Sequence, residues 1–218
     1  MNISANSSLA SLSDSSSNEY DKITIDYETL AISDEFSQGK FTSLCHAEWR
    51  NHEVAVVKAK DDDTITLQNM EYQTQLIMEL KSHRNIWRCI GAGADGLSPP
   101  CLVMEPVYGF LDDLIHGTIT NLDAKTIVKF AKQIANGMQY LHSQNIIHGD
   151  LGCRSVMYDK IHDQYILKIS GFDLSCYEND TTKITELKRM EHWSPRWAAP
   201  EVLEHNKLSK ATDVWSFG

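Results

Sequence analysis

IIHGDLGCRSV, spanning Ile146–Val156, is the stretch on which the reading of this chain turns. Two β-branched residues lead into His148, Gly149 and Asp150, and Arg154 follows four places on. Just ahead, Ile127, Phe130, Ile134, Met138 and Leu141 recur at helical spacing between Thr126 and His142. That segment is predicted to be a long amphipathic helix whose stripe is core rather than site. Just behind, Tyr158 to Tyr165 reads as a hairpin, and KISGFDLS follows from Lys168 to Ser175. SPRWAAPEVL covers Ser194–Leu203 and DVWSFG covers Asp213–Gly218. Towards the N-terminus, EVAVVK at Glu53–Lys58 is short and β-branched, the mark of a buried strand. Leu76, Ile77 and Leu80 form the inner face of a helix predicted over Leu67–Ser82.

In this order and at this spacing, the blocks from Ile32 to Gly218 resemble the protein kinases, in their tyrosine-kinase-like branch. IIHGDLGCRSV is similar to the I-I-H-R-D-L-A-A-R-N-V catalytic loop, and SPRWAAPEVL to the segment P-V-R-W-M-A-P-E. DVWSFG is similar to the start of the large helix of the C-lobe. His83, Asn85 and Ile86 match the H-x-N-I that follows the N-lobe helix. The resemblance implies an α+β, two-lobed fold. A small, mostly antiparallel sheet would form the N-lobe over residues 23–105. The hinge and a mostly helical C-lobe would occupy residues 106–218, with the sequence stopping inside the large helix as a fragment would. Residues 1–22 are serine-rich and poor in large apolar side chains, and are expected to be a disordered tail.

The resemblance also assigns roles. Asp150 matches the aspartate that accepts the proton of the substrate hydroxyl, and Arg154 the arginine of the tyrosine-kinase loop. Lys58 lies nine residues after Trp49 and matches the lysine that pairs with the α/β-phosphates of ATP, with Lys60 as the alternative register. SQGKFT at Ser37–Thr42 stands for the glycine-rich loop; Gly39 keeps one of its three glycines and Phe41 its aromatic tip over the phosphates. Met104 is implied as gatekeeper, with Glu105 to Val107 offering main-chain hydrogen bonds to adenine. Gln73 falls where the glutamate partner of the lysine is expected; Glu71, about 200° around the helix, is the alternative. His148 would pack on Phe172.

Against that pattern stand the losses. The family motif reads Asp-Phe-Gly where this chain has Gly171, Phe172 and Asp173, so the place of the magnesium-binding aspartate has no side chain. Ser155 replaces the asparagine of the second magnesium, and Gly149 replaces the arginine that pairs with a phosphorylated activation loop. Losing even ~4 kcal/mol of metal stabilisation costs roughly a thousandfold in rate. The sequence therefore reads as a pseudokinase, a regulatory or scaffolding module with residual ATP binding left open and magnesium doubtful. The alternative is a weakly active kinase that uses Asp173 or Ser155 for metal through a register slip in the long hairpin. A decaying gene copy is a third reading. In the activation segment Tyr177 is the one tyrosine, with Thr181, Thr182 and Thr185 as further polar positions.

Composition narrows the partners. A net charge of -10 argues against a general nucleic-acid or anionic-membrane surface. The expected partner is another kinase or a signalling protein. No apolar run is long enough to span a membrane, and the N-terminus does not read as a secretion signal. Five cysteines without paired spacing read as free thiols in a reducing, cytoplasmic setting. Cys153, near the catalytic loop, reads as an inert thiol in preference to a reactive one.

Overall fold

The computed structural model describes residues 23–93, 100–118, 122–162, 164–189, 195–205 and 207–218. The expected tail at 1–22 and Ser194 lie outside the described residues. The first half builds one sheet from β1 (Ile23–Ile25), β2 (Leu30–Gln38), β3 (Thr42–Trp49), β4 (His52–Ala59), β5 (Cys89–Gly93) and β6 (Cys101–Met104). Its order is β1-β5-β6-β4-β3-β2; the pairings are antiparallel except that β1 runs parallel to β5.

Helix α1 (Thr64–Glu79) packs on the inner face of this sheet. It begins three residues earlier than the apolar spacing predicts because Asp63 caps it, accepting from the amides of Ile65 and Thr66. Leu76 and Ile77 are buried as expected. So is Gln73, whereas Glu71 faces solvent, which settles the helix face in favour of Gln73.

The second half follows the linker with β7 (Gly109–Phe110), the single turn α2 (Leu111–Asp113) and the long α3 (Ala124–Ser143). Phe130, Met138 and Leu141 of α3 are buried, while Ile127 is exposed. Next come β8 (Ile146–Ile147), the hairpin β9 (Val156–Ile161) and β10 (Gln164–Ile169), and β11 (Cys176–Tyr177), which pairs with β8. Helices α4 (Thr181–Arg189), α5 (Pro200–His205) and α6 (Lys210–Phe217) complete the described residues. The two halves share one apolar core that runs from Leu44, Val57 and Met70 to Leu141, Met157 and Phe172.

The loop between β8 and β9 is held from α6. Asp213, almost fully buried, accepts from the amides of His148 and Gly149, both at 2.9 Å, and lies 2.9 Å from His142 Nε2. His148 in turn sets its Nε2 2.8 Å from the Ser170 carbonyl and its ring 5.5 Å from that of Phe172, so the expected His148–Phe172 packing is present.

Helix α4 was not expected from the sequence, which suggested a loop. It packs on α1: Lys183 donates to Asn69 Oδ1 at 2.7 Å and sits over the Tyr72 ring, whose hydroxyl donates to Asp180. Beside them the Tyr177 hydroxyl donates to Glu79 at 2.5 Å.

Two outcomes are expected. Asp213→Ala leaves two amides of the loop without their charged acceptor and should cost about 3 kcal/mol, read as a lower urea midpoint. Burial, aided by the Glu79 carboxylate, raises the Tyr177 phenol to about 12. Its unfolded value is near 10. The folded value is the higher one, so this contribution is complete below pH 10 and is lost as pH rises towards 12. The stability difference between the native protein and Tyr177→Phe should therefore shrink over that interval.

Candidate functional site

Between the sheet and the loop after β8 lies a cleft reduced to a cavity of about 80 Å³. Pockets that hold drug-sized ligands run to ~300–1,000 Å³. Leu44, Val57, Gln73, Met104, Phe172 and Asp173 are among the residues that line it.

Asp173 is the centre of this arrangement. The segment Phe172–Leu174 is a 3-10 turn, not an extended strand, and it carries the Asp173 carboxylate to the cleft side. There Oδ2 accepts from the backbone amides of Lys40 at 2.6 Å and Phe41 at 3.1 Å. Oδ1 accepts from Thr42 Oγ1 at 2.9 Å and Gln73 Nε2 at 3.0 Å. Gln73 therefore bonds to Asp173; the alternative of a bond to Lys58 is not what forms. Gly39 lines the cavity, and a Cβ there would run into the same carboxylate, so the surviving glycine of the loop serves this approach. Phe41 is not among the residues lining the cavity. It is buried in a second apolar cluster with Ile147, Leu174 and Val202. This corrects the expectation of an aromatic tip lying over phosphates: the loop is drawn down and its tip is core.

Lys58 is likewise corrected. Val54 and Val56 belong to the outer cluster of the sheet with Ile25 and Val103, whereas Ala55 and Val57 face the main core. Side chains two apart along a strand share a face. Lys58 thus lies with Val54 and Val56, away from the cleft, near the Cys45 thiol, which burial raises in pKa and the Lys58 charge partly restores. Val57 occupies the cleft-facing position, so an apolar side chain stands where the phosphates' lysine was expected. The loop contributes another amine, Lys40, whose Nζ lies 5.2 Å from the centre of the Phe41 ring. Burial pulls its pKa down, and the carboxylates of Asp150 and Asp173 push the other way.

Asp150 sits in its expected loop, its amide donating to His148 Nδ1 at 3.3 Å. Arg154 lines the edge of the cavity and places its guanidinium 4.8 Å from the centre of the Trp197 ring. Ser155 is turned inward: its hydroxyl donates to the Gly152 carbonyl and accepts from the Gly152 amide, closing the turn. Gly171 adopts φ of +71°, and a Cβ there would meet Ser155 Cβ at 2.9 Å. Met104 lines the cavity. Val107 packs against the core and is not among the lining residues. Glu105 forms an ion pair with Lys168 at 2.5 Å. Both its main-chain groups are engaged: its amide donates to the Arg88 carbonyl at 3.0 Å and its carbonyl accepts from Trp87 Nε1 at 2.9 Å.

Comparison with known proteins agrees with this architecture. The profile described as protein tyrosine and serine/threonine kinase matches residues 30–218. The chain belongs to the protein tyrosine and serine/threonine kinase family. It is 30% identical over 203 residues to a probable serine/threonine-protein kinase of Dictyostelium discoideum, covering 88% of this chain and 14% of the relative. It is 30% identical over 190 residues to the tyrosine-protein kinase Abl of Drosophila melanogaster, covering 83% and 11%. It is 31% identical over 202 residues to the tyrosine-protein kinase transforming protein Fps of an avian sarcoma virus, covering 91% and 37%. The chain thus spans between about a tenth and two fifths of the length of these relatives.

A kinase domain uses ATP and magnesium in general, and the residues present can be tested against both. They do not fit magnesium: Gly171 offers no ligand, the Ser155 hydroxyl is spent on Gly152, and the Asp173 carboxylate is saturated by four donors. Among the described residues no cluster of His, Cys, Asp or Glu suited to a metal is gathered. They do not fit the nucleotide in this closed form either, for want of volume. Of the residues that shape this outcome, the sequence reading passed over Lys40, Val57 and Trp87.

Asp173→Ala should free the loop. The amides of Lys40 and Phe41 then exchange hydrogen at least tenfold faster, and stability falls by about 2 kcal/mol, the scale of bonds to a charged acceptor. Unchanged exchange at both amides would mean that the loop is held by Phe41 alone.

Proposed function

We propose that this chain is a kinase-fold regulatory module, a pseudokinase that recognises another kinase or signalling protein and does not transfer phosphate. The observation that carries the proposal is the state of Asp173. It lies two residues after Gly171, and its carboxylate accepts four hydrogen bonds from the chain's own loop and helix. The apolar Val57 at the cleft and the inward Ser155 hydroxyl support the same reading. Catalysis of phosphoryl transfer rests on positioning and charge neutralisation by metal and lysine together. Here both are replaced. The surviving framework, Asp213 with His148 and the shared core, preserves the shape on which recognition depends. The five cysteines stand without paired spacing in the sequence, which supports a reducing compartment such as the cytoplasm.

One observation favours a second reading. Asp173 lines the cleft, and the charges of Asp150 and Asp173 both raise the pKa of Lys40 against its burial, so two acids of the expected kind act on one loop amine. A weakly active kinase would use Asp173 for metal after its loop lifts.

Transfer of the γ-phosphate from labelled ATP, with magnesium or manganese, separates the two. The pseudokinase reading expects no incorporation above that of Asp150→Asn, and no thermal stabilisation by ATP with magnesium. Incorporation that Asp150→Asn abolishes would establish the second reading. The reference scale is about 2.7 kcal/mol for a ligand at 100 times its dissociation constant.

A further inference from the structure

We infer that Trp87 excludes the purine base from the cleft, its indole occupying the base's space and its hydrogen-bond acceptor. This deepens the pseudokinase reading and rests on it. Indole and purine are both flat bicycles of a five- and a six-membered ring. The indole carries a single donor, Nε1–H, and it is aimed at the Glu105 carbonyl at 2.9 Å. That main-chain oxygen lies in the linker segment from which adenine would be held. Trp87 is buried, at 4% exposure, and lines the cavity together with Leu44, Met104 and Met157.

The ring is held in place from several directions. The Trp87 amide donates to the Ile169 carbonyl at 2.8 Å, and the Ile169 amide donates to the Asn85 carbonyl at 2.9 Å, which pins the segment after α1 to β10. On the acceptor side, the Glu105 amide donates to the Arg88 carbonyl, and the Glu105 carboxylate holds Lys168 and the Arg88 amide. The carbonyl cannot swing to a ligand without disturbing these bonds. A base entering the native cleft would have to displace a buried aromatic side chain, whose burial with its hydrogen bond is strongly favourable. Removing the ring leaves a flat apolar slot that ends on a main-chain acceptor, the features by which a pocket selects a purine with an exocyclic amine.

The test is adenosine binding without metal, by calorimetry and thermal shift, to the full-length protein and to Trp87→Val. The native protein should show no saturation up to about 1 mM. The variant should bind with a dissociation constant on the order of 0.1 mM, the level expected for a nucleoside-sized ligand, and its melting temperature should rise with adenosine. N6,N6-dimethyladenosine, which cannot donate to the Glu105 carbonyl, should bind the variant at least tenfold more weakly. A folded Trp87→Val that binds no adenosine overturns the proposal. Should the variant not fold, the native protein decides: its Trp87 indole N–H resonance, assigned through Trp87→Phe, should not move with adenosine, and a saturable shift overturns the proposal. Phosphate transfer by the native protein would instead count against the pseudokinase reading, an outcome separate from these.

Discussion

The carboxylate of Asp173 is the constraint on which the cleft depends. An acid in a half-buried site needs either a cation or several donors. This one receives two backbone amides, a hydroxyl and a side-chain amide from three separate elements. Meeting its demand brings the loop between β2 and β3 down, and with it Phe41, which then gains a buried position among Ile147, Leu174 and Val202. The same bonds orient Gln73 on α1. The reduced cavity is the geometric consequence, and the absence of a side chain at Gly171 is what leaves Asp173 as the acid to be satisfied there.

Fold and chemistry are separable in this molecule because different residues sustain them. The loop after β8 keeps its shape through Asp213, which bonds its amides, and through the packing of His148 on Phe172. None of these contacts involves a metal or a phosphate. The linker is similarly self-sufficient, with Glu105 tied to Lys168, Arg88 and Trp87. Residues whose value lies in transition-state charge can therefore be lost without loosening the framework, and positions 57, 155 and 171 are among those that differ from the family pattern.

Much of this was legible in the sequence. The two-lobed plan, the buried helix face with Gln73 and the hairpin follow from periodicity and motif order, which long-range packing does not alter. What failed did so for specific reasons. Lys58 was assigned by its distance from Trp49, but a strand alternates faces, and a one-residue slip sends every side chain to the other side of the sheet. Val54 and Val56 share its parity, but Val54–Val57 is apolar on both faces, so only the packing of the sheet shows which face lines the cleft. Helix α4 has a local start signal in Asp180, which accepts from the Lys183 amide at 2.9 Å, whereas the contacts of Lys183 and Asp180 with α1 are tertiary. The fall of the loop onto Asp173 likewise joins residues more than 130 positions apart.

In an active kinase the relation between the lobes changes as nucleotide and metal come and go, and that cycle serves catalysis. In this chain Asp173 is bonded by the Gln73 side chain and the loop amides, and an indole stands on the linker carbonyl. On the proposed reading as a regulatory module, the closed arrangement stands independent of ligand concentration. A surface whose shape is fixed in this way can present the same face to a partner under all nucleotide conditions, whereas a cycling enzyme cannot. Rigid presentation lowers the ordering cost of association, and it is the physical property that a binding module needs and a phosphotransferase must give up.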